Sequence, residues 1–380
     1  VVKMKGFAHF LAGITTATFV VVIANMYYGQ NIIATEIVVH KALIIILGGI
    51  FGILPDTIDF RFAKYLQRHD YEVDMDEWSL DPNLVATTLA KAIDQAAEEK
   101  REVNVMLHTI KISSDQWRQY TVRFDTENKK VICDIGPIIS GFEKRPYINS
   151  YLPPEKAHAE ASFKADLEYN YDEVTHVDIL SGPDFSFFPE GDNKVRADFI
   201  PWHRRWAHSV TLGVLFAPIG FMLFGFTPIG WTAFWIIMLG FWSHILTDHF
   251  GLMGSNMFPP FTTKRIPGFK VTRSMSTLAN VYTNYLDVLL IIFNINALNY
   301  ALAGKDYLSM PWLSYLGPEV QYTEWYVVGL MNYIVYYILP PILVSYILVS
   351  WIRKRRGVKE LSEKEARSAE QLEEIGGVNV

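Results

Sequence analysis

Cysteine is almost absent: the 380 residues hold one, Cys133. It cannot close a disulfide within the chain, and metal sites built from several thiolates are excluded. A lone thiol in a strand-like run is compatible with a reducing compartment. An excess of basic charge is also missing. Lys and Arg number 34 against 40 Asp and Glu, giving a formal net charge of −6, with acidic runs such as Glu72 to Glu77 and Glu98 to Glu102. An acidic surface argues against nucleic acid as a partner. No small-residue cleavage pattern follows the first hydrophobic stretch, which is a full span long, so it is expected to stay as a helix rather than be removed as a signal peptide. No internal repeat is found.

Apolar residues are plentiful: 50% of the chain is hydrophobic and 14% aromatic, and the mean hydropathy is +0.14. Such a composition fits a membrane-embedded chain carrying one soluble insert. A span needs about 20 mostly apolar residues, and six stretches qualify: about 7–28, 36–54, 208–226, 229–250, 278–302 and 325–352. Six passes put both termini on one side. That side carries Lys3, Lys5, Arg61, Lys64, Arg204, Arg205, Lys264, Arg265, Lys270, Arg273 and the run Arg353 to Arg356, whereas the opposite side offers only Lys41 and Lys305. Basic residues mark the cytoplasmic side. The expectation is a multi-pass protein of the inner (plasma) membrane, with both termini and the insert cytoplasmic.

The expected fold class is a mainly α membrane protein, with about six transmembrane helices and an α+β insert between helices 2 and 3. Residues 1–60 hold the first two helices, the second closed by Pro55, and 61–200 form the soluble insert. Residues 201–356 hold helices 3–6, and 357–380 are a polar tail. In the insert, Asp81-Pro82 followed by Leu84, Leu89, Ile93 and Ala97 predicts a capped amphipathic helix. Alternating runs predict strands at about 102–113, 117–125, 129–135, 159–169, 174–182 and 194–199. A loop rich in Pro and Phe, Met257 to Phe269, follows span four.

Four hydrophobic segments end, on the same expected face, in histidine or aspartate. His244 and Asp248 stand four apart in Trp242-Ser243-His244-Ile245-Leu246-Thr247-Asp248, so one helix face presents both to one ion. A His–Asp bond that merely caps the helix end is the bland reading. His203-Arg204-Arg205-Trp206-Ala207-His208 opens span three, where helix-start N–H groups and two arginines favour an anion such as phosphate; alone, the cluster would read as a topology anchor. Asp56 and Asp59 follow Pro55, and carboxylates there can bridge cations or orient a histidine ligand. His9 starts span one at the same level. The seven residues His9, Asp56, Asp59, His203, His208, His244 and Asp248 are expected to converge on metal.

This constellation resembles the YdjM-like family of integral membrane metal-dependent hydrolases, typified by a LexA-regulated inner-membrane protein. The family's N-terminal His, Leu-Pro-Asp-x-Asp-His, His-Arg-Gly-x-Thr-His-Ser and Ser-His-x-x-x-Asp elements are similar to His9; Leu54, Pro55, Asp56 and Asp59; His203, Arg204, His208 and Ser209; and Ser243, His244 and Asp248. Gly254 and Pro259 to Phe261 follow in family order, and Asn284-Tyr285-Leu286-Asp287 is similar to a later Asn-x-x-acid element. The resemblance covers spans one to five and implies Ser209, Ser243 and Asp287 behind the ligands. Departures are one extra residue between the aspartates, Phe60 in place of His, Arg205 for Gly and Ala207 for Thr, and an insert of about 130 residues for which the family gives no guide.

Nitrogen and oxygen donors without thiolate suit zinc first, with manganese or iron as alternatives, and seven exceed what a single closed zinc site needs, so one or two ions are expected. The expected function is metal-dependent hydrolysis of a lipid or amphiphile headgroup, a phosphoester foremost, at the cytoplasmic face. Asp56, Asp248 and His208 would be catalytic, and Arg204 and Arg205 would hold the anionic headgroup. The alternative is a non-catalytic metal-binding membrane subunit whose residues 61–200 dock a protein partner. A third reading, an ion or proton pathway, requires polar residues on the outer half of the bundle as well, and the sequence shows few.

Overall fold

The structure, a computed structural model, describes residues 5–29, 32–140, 145–147, 149–169, 174–177, 184–199, 201, 203–251, 254–262, 264–269, 277–308 and 320–355. In chain order these form helices α1 (Lys5–Tyr28) and α2 (Ile32–Ile58), a π-helical turn (Asp59–Ala63) and the short α3 (Lys64–Leu66). Next come β1 (Tyr71–Val73), α4 (Pro82–Glu99), β2 (Val103–Leu107), β3 (Ile110–Ser113), β4 (Gln116–Asp125) and β5 (Lys130–Ser140). Then follow α5 (Pro154–Ala157), β6 (His158–Ser162), β7 (Asp166–Tyr169), β8 (Thr175–Val177), β9 (Asp184–Pro189) and β10 (Lys194–Phe199). The chain continues as α6 (Val210–Phe216), α7 (Ile219–Phe224), α8 (Pro228–His249), α9 (Thr277–Ala303), α10 (Tyr322–Tyr333), a second π-helical turn (Ile334–Ile338) and α11 (Leu339–Arg355). The chain divides into two compact units, one containing Leu66–Trp202 and the other Val2–Tyr65 with His203–Gly357. The polar tail, Lys3, Lys270, Arg273 and part of the 174–182 run lie outside the described residues.

The first unit is sheet-rich. One sheet has the order β1-β2-β9-β10-β7; the other runs β3-β4-β5-β6, with β8 also on β4. Alternation explains the sides: Val103, Val105 and Leu107 of β2 are buried while Asn104 and Met106 between them are only partly so, as period-2 geometry requires. The helix predicted after Asp81 is present, its carboxylate accepting from the Asn83 N–H and Pro82 occupying the first turn. Val85, Leu89 and Ile93 of α4 join Phe185, Phe187, Tyr120 and Val122 in one core. The strand β9 has no counterpart in the sequence-based expectation, although Phe185 and Phe187 alternate with polar Asp184 and Ser186. Cys133 is buried here, and burial pushes its thiol well above the ordinary value, so it stays protonated and unreactive.

In the helical unit, five described helices are long and apolar enough to cross a membrane: Gly6–Tyr28, Leu43–Phe62, Pro228–His249, Asn280–Ala303 and Tyr322–Leu348. The expected span at 208–226 differs. It is two short helices, α6 and α7, and the whole segment Val210–Phe224 rises only about 22 Å against a hydrocarbon core of about 30 Å. The break falls at Pro218, which has no N–H to continue the ladder. Nor does Pro55 close the second helix; α2 runs through it to Ile58. Packing along α1 and α8 holds the helix across the one missing donor, as membrane helices commonly tolerate. Likewise α11 begins with Pro340 and Pro341, and the Tyr337 carbonyl that Pro341 cannot serve accepts instead from the Tyr285 hydroxyl at 2.9 Å.

Glycines set how closely these helices meet. A Cβ on Gly13 of α1 would stand 2.1 Å from the Gly48 carbonyl oxygen of α2, and one on Gly48 would stand 2.4 Å from the Gly13 oxygen. Small residues at helix crossings are how membrane bundles gain contact where lipid supplies no hydrophobic drive. This crossing brings the start of α1 beside the ends of α2 and α8.

Candidate metal centre

Three helix ends and two turns supply the side chains. His9 lies in the second turn of α1, Asp56 near the end of α2, Asp59 in the π-helical turn, and His244 and Asp248 on one face of α8. His203 to His208 form the turn that leads into α6. The loop after α8 clasps it: Arg265 Nη2 donates to the His203 carbonyl, and the Asn256 N–H donates to that of Arg204.

Four donors converge. His208 Nε2 is 3.0 Å from His244 Nε2, 3.3 Å from Asp56 Oδ1 and 3.3 Å from Asp248 Oδ2. His244 Nε2 is 3.6 Å from Asp56 Oδ1 and 3.5 Å from Asp248 Oδ2. A tetrahedron whose corners lie about 2.0–2.1 Å from its centre has edges of about 3.3–3.4 Å, the spacing of ligands around zinc. The four can hold one ion.

The hydrogen bonds behind the ring nitrogens agree. His244 Nδ1 lies 2.7 Å from the Gly52 carbonyl, which can only accept, so Nδ1 carries the proton and Nε2 turns a lone pair to the cluster. His208 Nδ1 lies 2.9 Å from Asp59 Oδ2 without a well-formed hydrogen bond, and the carboxylate's charge favours the proton on that nitrogen. Thr247 donates its hydroxyl to the His244 carbonyl and so accepts from His9 Nδ1 at 2.9 Å. The His9 ring stacks on His244, centroids 3.8 Å apart, with Nε2 3.6 Å from Asp248 Oδ1. Asp248 Oδ2, though buried, has no well-formed hydrogen bond. A buried acceptor left so is costly, and a cation would satisfy it.

Asp59 occupies a different place from Asp56. It also accepts from His203 Nδ1 at 2.9 Å and from the Arg204 N–H at 2.8 Å. A second group of donors, Asp59, His203 and His208, is close enough to hold a metal. Burial pushes the His203 imidazole down to about 4, against the Asp59 carboxylate that raises it, so the ring is neutral at physiological pH.

Residues 170–340 match the family model of the YdjM inner membrane protein. Over those residues the chain is similar to the YdjM inner membrane protein family. The match spans the His203–His208 turn, α8 with His244 and Asp248, and Asp287; His9, Asp56 and Asp59 lie before it. No curated protein and no solved structure matches.

The seven expected donors gather at one end of the helical unit, but the residues expected around them do not all attend. Ser209 caps α6 by accepting from the Leu212 N–H, and Ser243 donates to the Gly240 carbonyl of its own helix. Asp287 accepts from Thr15. Arg204 is buried, with Nη2 2.8 Å from Asp248 Oδ1 and φ +62°, a left-handed backbone that costs a non-glycine residue about 1–2 kcal/mol. It therefore neutralises a carboxylate of the cluster, while Arg205 beside it is half-buried. Thr247 and the Gly52 carbonyl were not legible as site members, because a hydroxyl and a main-chain oxygen carry no residue-type signal of metal chemistry.

Asp59→Asn tests the orienting contact. The amide can still accept but loses the charge that holds the His208 tautomer, so metal affinity is expected to fall by about 10–100-fold with the fold intact. Titration of the purified protein with metal under competing chelator reads this directly.

Proposed function

We propose that the protein is a membrane-embedded metal-dependent hydrolase that cleaves a phosphoester in the headgroup of a lipid or amphiphile at the cytoplasmic face. The close spacing of His208, His244, Asp56 and Asp248, whose donor atoms all lie within 4.8 Å of one another, supports this reading, together with their unequal exposure. Both histidines are fully buried and Asp248 nearly so, whereas the Asp56 side chain is 25% exposed. Substrate then approaches from the Asp56 corner.

Those four residues would hold the ion, zinc in the first place, with His9 behind His244 and with Asp59 and His203 able to take a second. A divalent cation there supplies Lewis-acid polarisation of the phosphoryl group and makes water nucleophilic near neutral pH. Asp56 would accept the proton of the water that attacks phosphorus and pass it to the alcohol oxygen released as the ester P–O bond breaks. Arg204 holds Asp248 in place through one oxygen and leaves the other facing the donors. Arg205 at the same turn attracts the anionic headgroup.

The experiment is an assay of purified, metal-loaded protein against phospholipid and isoprenoid-phosphate panels, with and without chelator. Chelator-sensitive release of product, lost in Asp56→Asn, is expected. Stoichiometric metal with no chelator-sensitive turnover on any of these esters would instead support a metal-holding subunit whose residues 61–200 bind a partner protein.

A further inference from the structure

Away from the metal centre, α1 and α9 turn buried polar side chains toward each other. Thr15 Oγ1 donates to Asp287 Oδ1 at 3.0 Å. Asn294 Nδ2 donates to Thr18 Oγ1 at 2.9 Å, and the Tyr326 hydroxyl of α10 donates to Asn294 Oδ1 at 2.7 Å. Further along, the Tyr322 hydroxyl donates to the Ala297 carbonyl, and fully buried Asn25 lies beside it. Thr15, Thr18 and Asn25 share one face of α1. At 1.5 Å per residue they extend over about 15 Å, beginning about 9 Å beyond His9. Away from the metal centre the bundle thus holds buried polar groups that hydropathy alone did not locate.

The ends of this row are left open. Thr18, Asn294 and Tyr326 satisfy one another, as polar groups that merely hold helices together do. Asp287 Oδ2 and both amide atoms of Asn25 are buried with no well-formed hydrogen bond among the described residues; so are both amide atoms of Asn284, one turn before Asp287 on α9. Among the described residues no Lys, Arg or His pairs with Asp287, which is buried and accepts from the Thr15 hydroxyl. A carboxylate in such surroundings is strongly disfavoured, and unmet donors and acceptors in a polar interior are met by bound water making about three hydrogen bonds each.

We infer that α1, α9 and α10 enclose a hydrated polar column in which the Asp287 carboxyl binds a proton that exchanges with water. The ligands are water and a proton, and the site is separate from the metal centre. Its failure and that of the hydrolase reading are distinguishable, because the readout needs neither metal nor turnover.

Infrared spectroscopy of the full-length protein in lipid tests it. At neutral pH the wild type is expected to show the C=O stretch of a protonated carboxyl that shifts on transfer to D2O and is lost in Asp287→Asn. Thr15→Val, which keeps the carboxyl but removes the hydroxyl bonded to it, moves the same band to higher frequency and so assigns it even if the Asn variant folds poorly. Asn25→Leu, closing the far end of the column, slows the D2O shift several-fold. Absence of the band at neutral and mildly acidic pH, or a band that never shifts in D2O, overturns the inference.

Discussion

Replacing His208 by alanine is expected to abolish stoichiometric metal binding and to destabilise the helical unit at the same time. The ring is fully buried, its Nε2 faces three other donors within 3.3 Å, and its Nδ1 contacts Asp59. No neighbouring side chain can replace both contacts. Removing the ring also strands buried carboxylates, and breaking a buried ion pair from one side costs about 3–5 kcal/mol. Metal analysis of the purified variant should therefore read near zero, with lowered thermal stability. Asp248→Ala should behave alike and also leave Arg204 unpaired in the interior. Retention of one metal per chain in both variants would sink the metal-centre reading. The contrast with Asp59→Asn is informative: loss of a donor removes the ion, whereas loss of its orienting contact only weakens it.

Gly48→Leu is expected to have a comparable effect from a residue that touches no donor. A Cβ at this position would stand 2.4 Å from the Gly13 carbonyl oxygen and 2.7 Å from the Ala17 Cβ. The obstacle is largely backbone, which no rotamer change can move aside. The cost should exceed the about 1–3 kcal/mol typical of an overpacked core, because α1 and α2 must separate. Their separation would carry His9 away from His244 and Gly52, whose carbonyl holds the His244 tautomer. The variant should show reduced yield of folded protein and, in what folds, metal affinity well below wild type. Wild-type metal content and thermal stability together would show that the close crossing is dispensable.

Asp56 and Asp59 illustrate how much of the site could be read in advance. Their residue types and their position at a helix end marked them as metal chemistry, but their spacing of three could not say which oxygen would meet which ring. That depends on the π-helical turn, which carries Asp59 to the Nδ1 atoms of His208 and His203 while Asp56 faces the Nε2 atoms of His208 and His244. Arg204 shows the same limit. Its charge suggested an anionic headgroup, and its actual partner, Asp248, is 44 positions along the chain.

Hydropathy and period are local properties, so the sequence alone determined the long apolar helices, the helix capped by Asp81, most strands of the insert and the gathering of histidine and aspartate at segment ends. The tertiary structure decided what those properties cannot encode. It broke the 208–226 segment at Pro218, joined Thr15 to Asp287 across 272 positions and matched His244 to a carbonyl 192 positions away. Each pairing depends on how helices approach one another, α2 meeting α1 and α8 through glycines, and the geometry of such a crossing is a property of surfaces in contact rather than of any one segment.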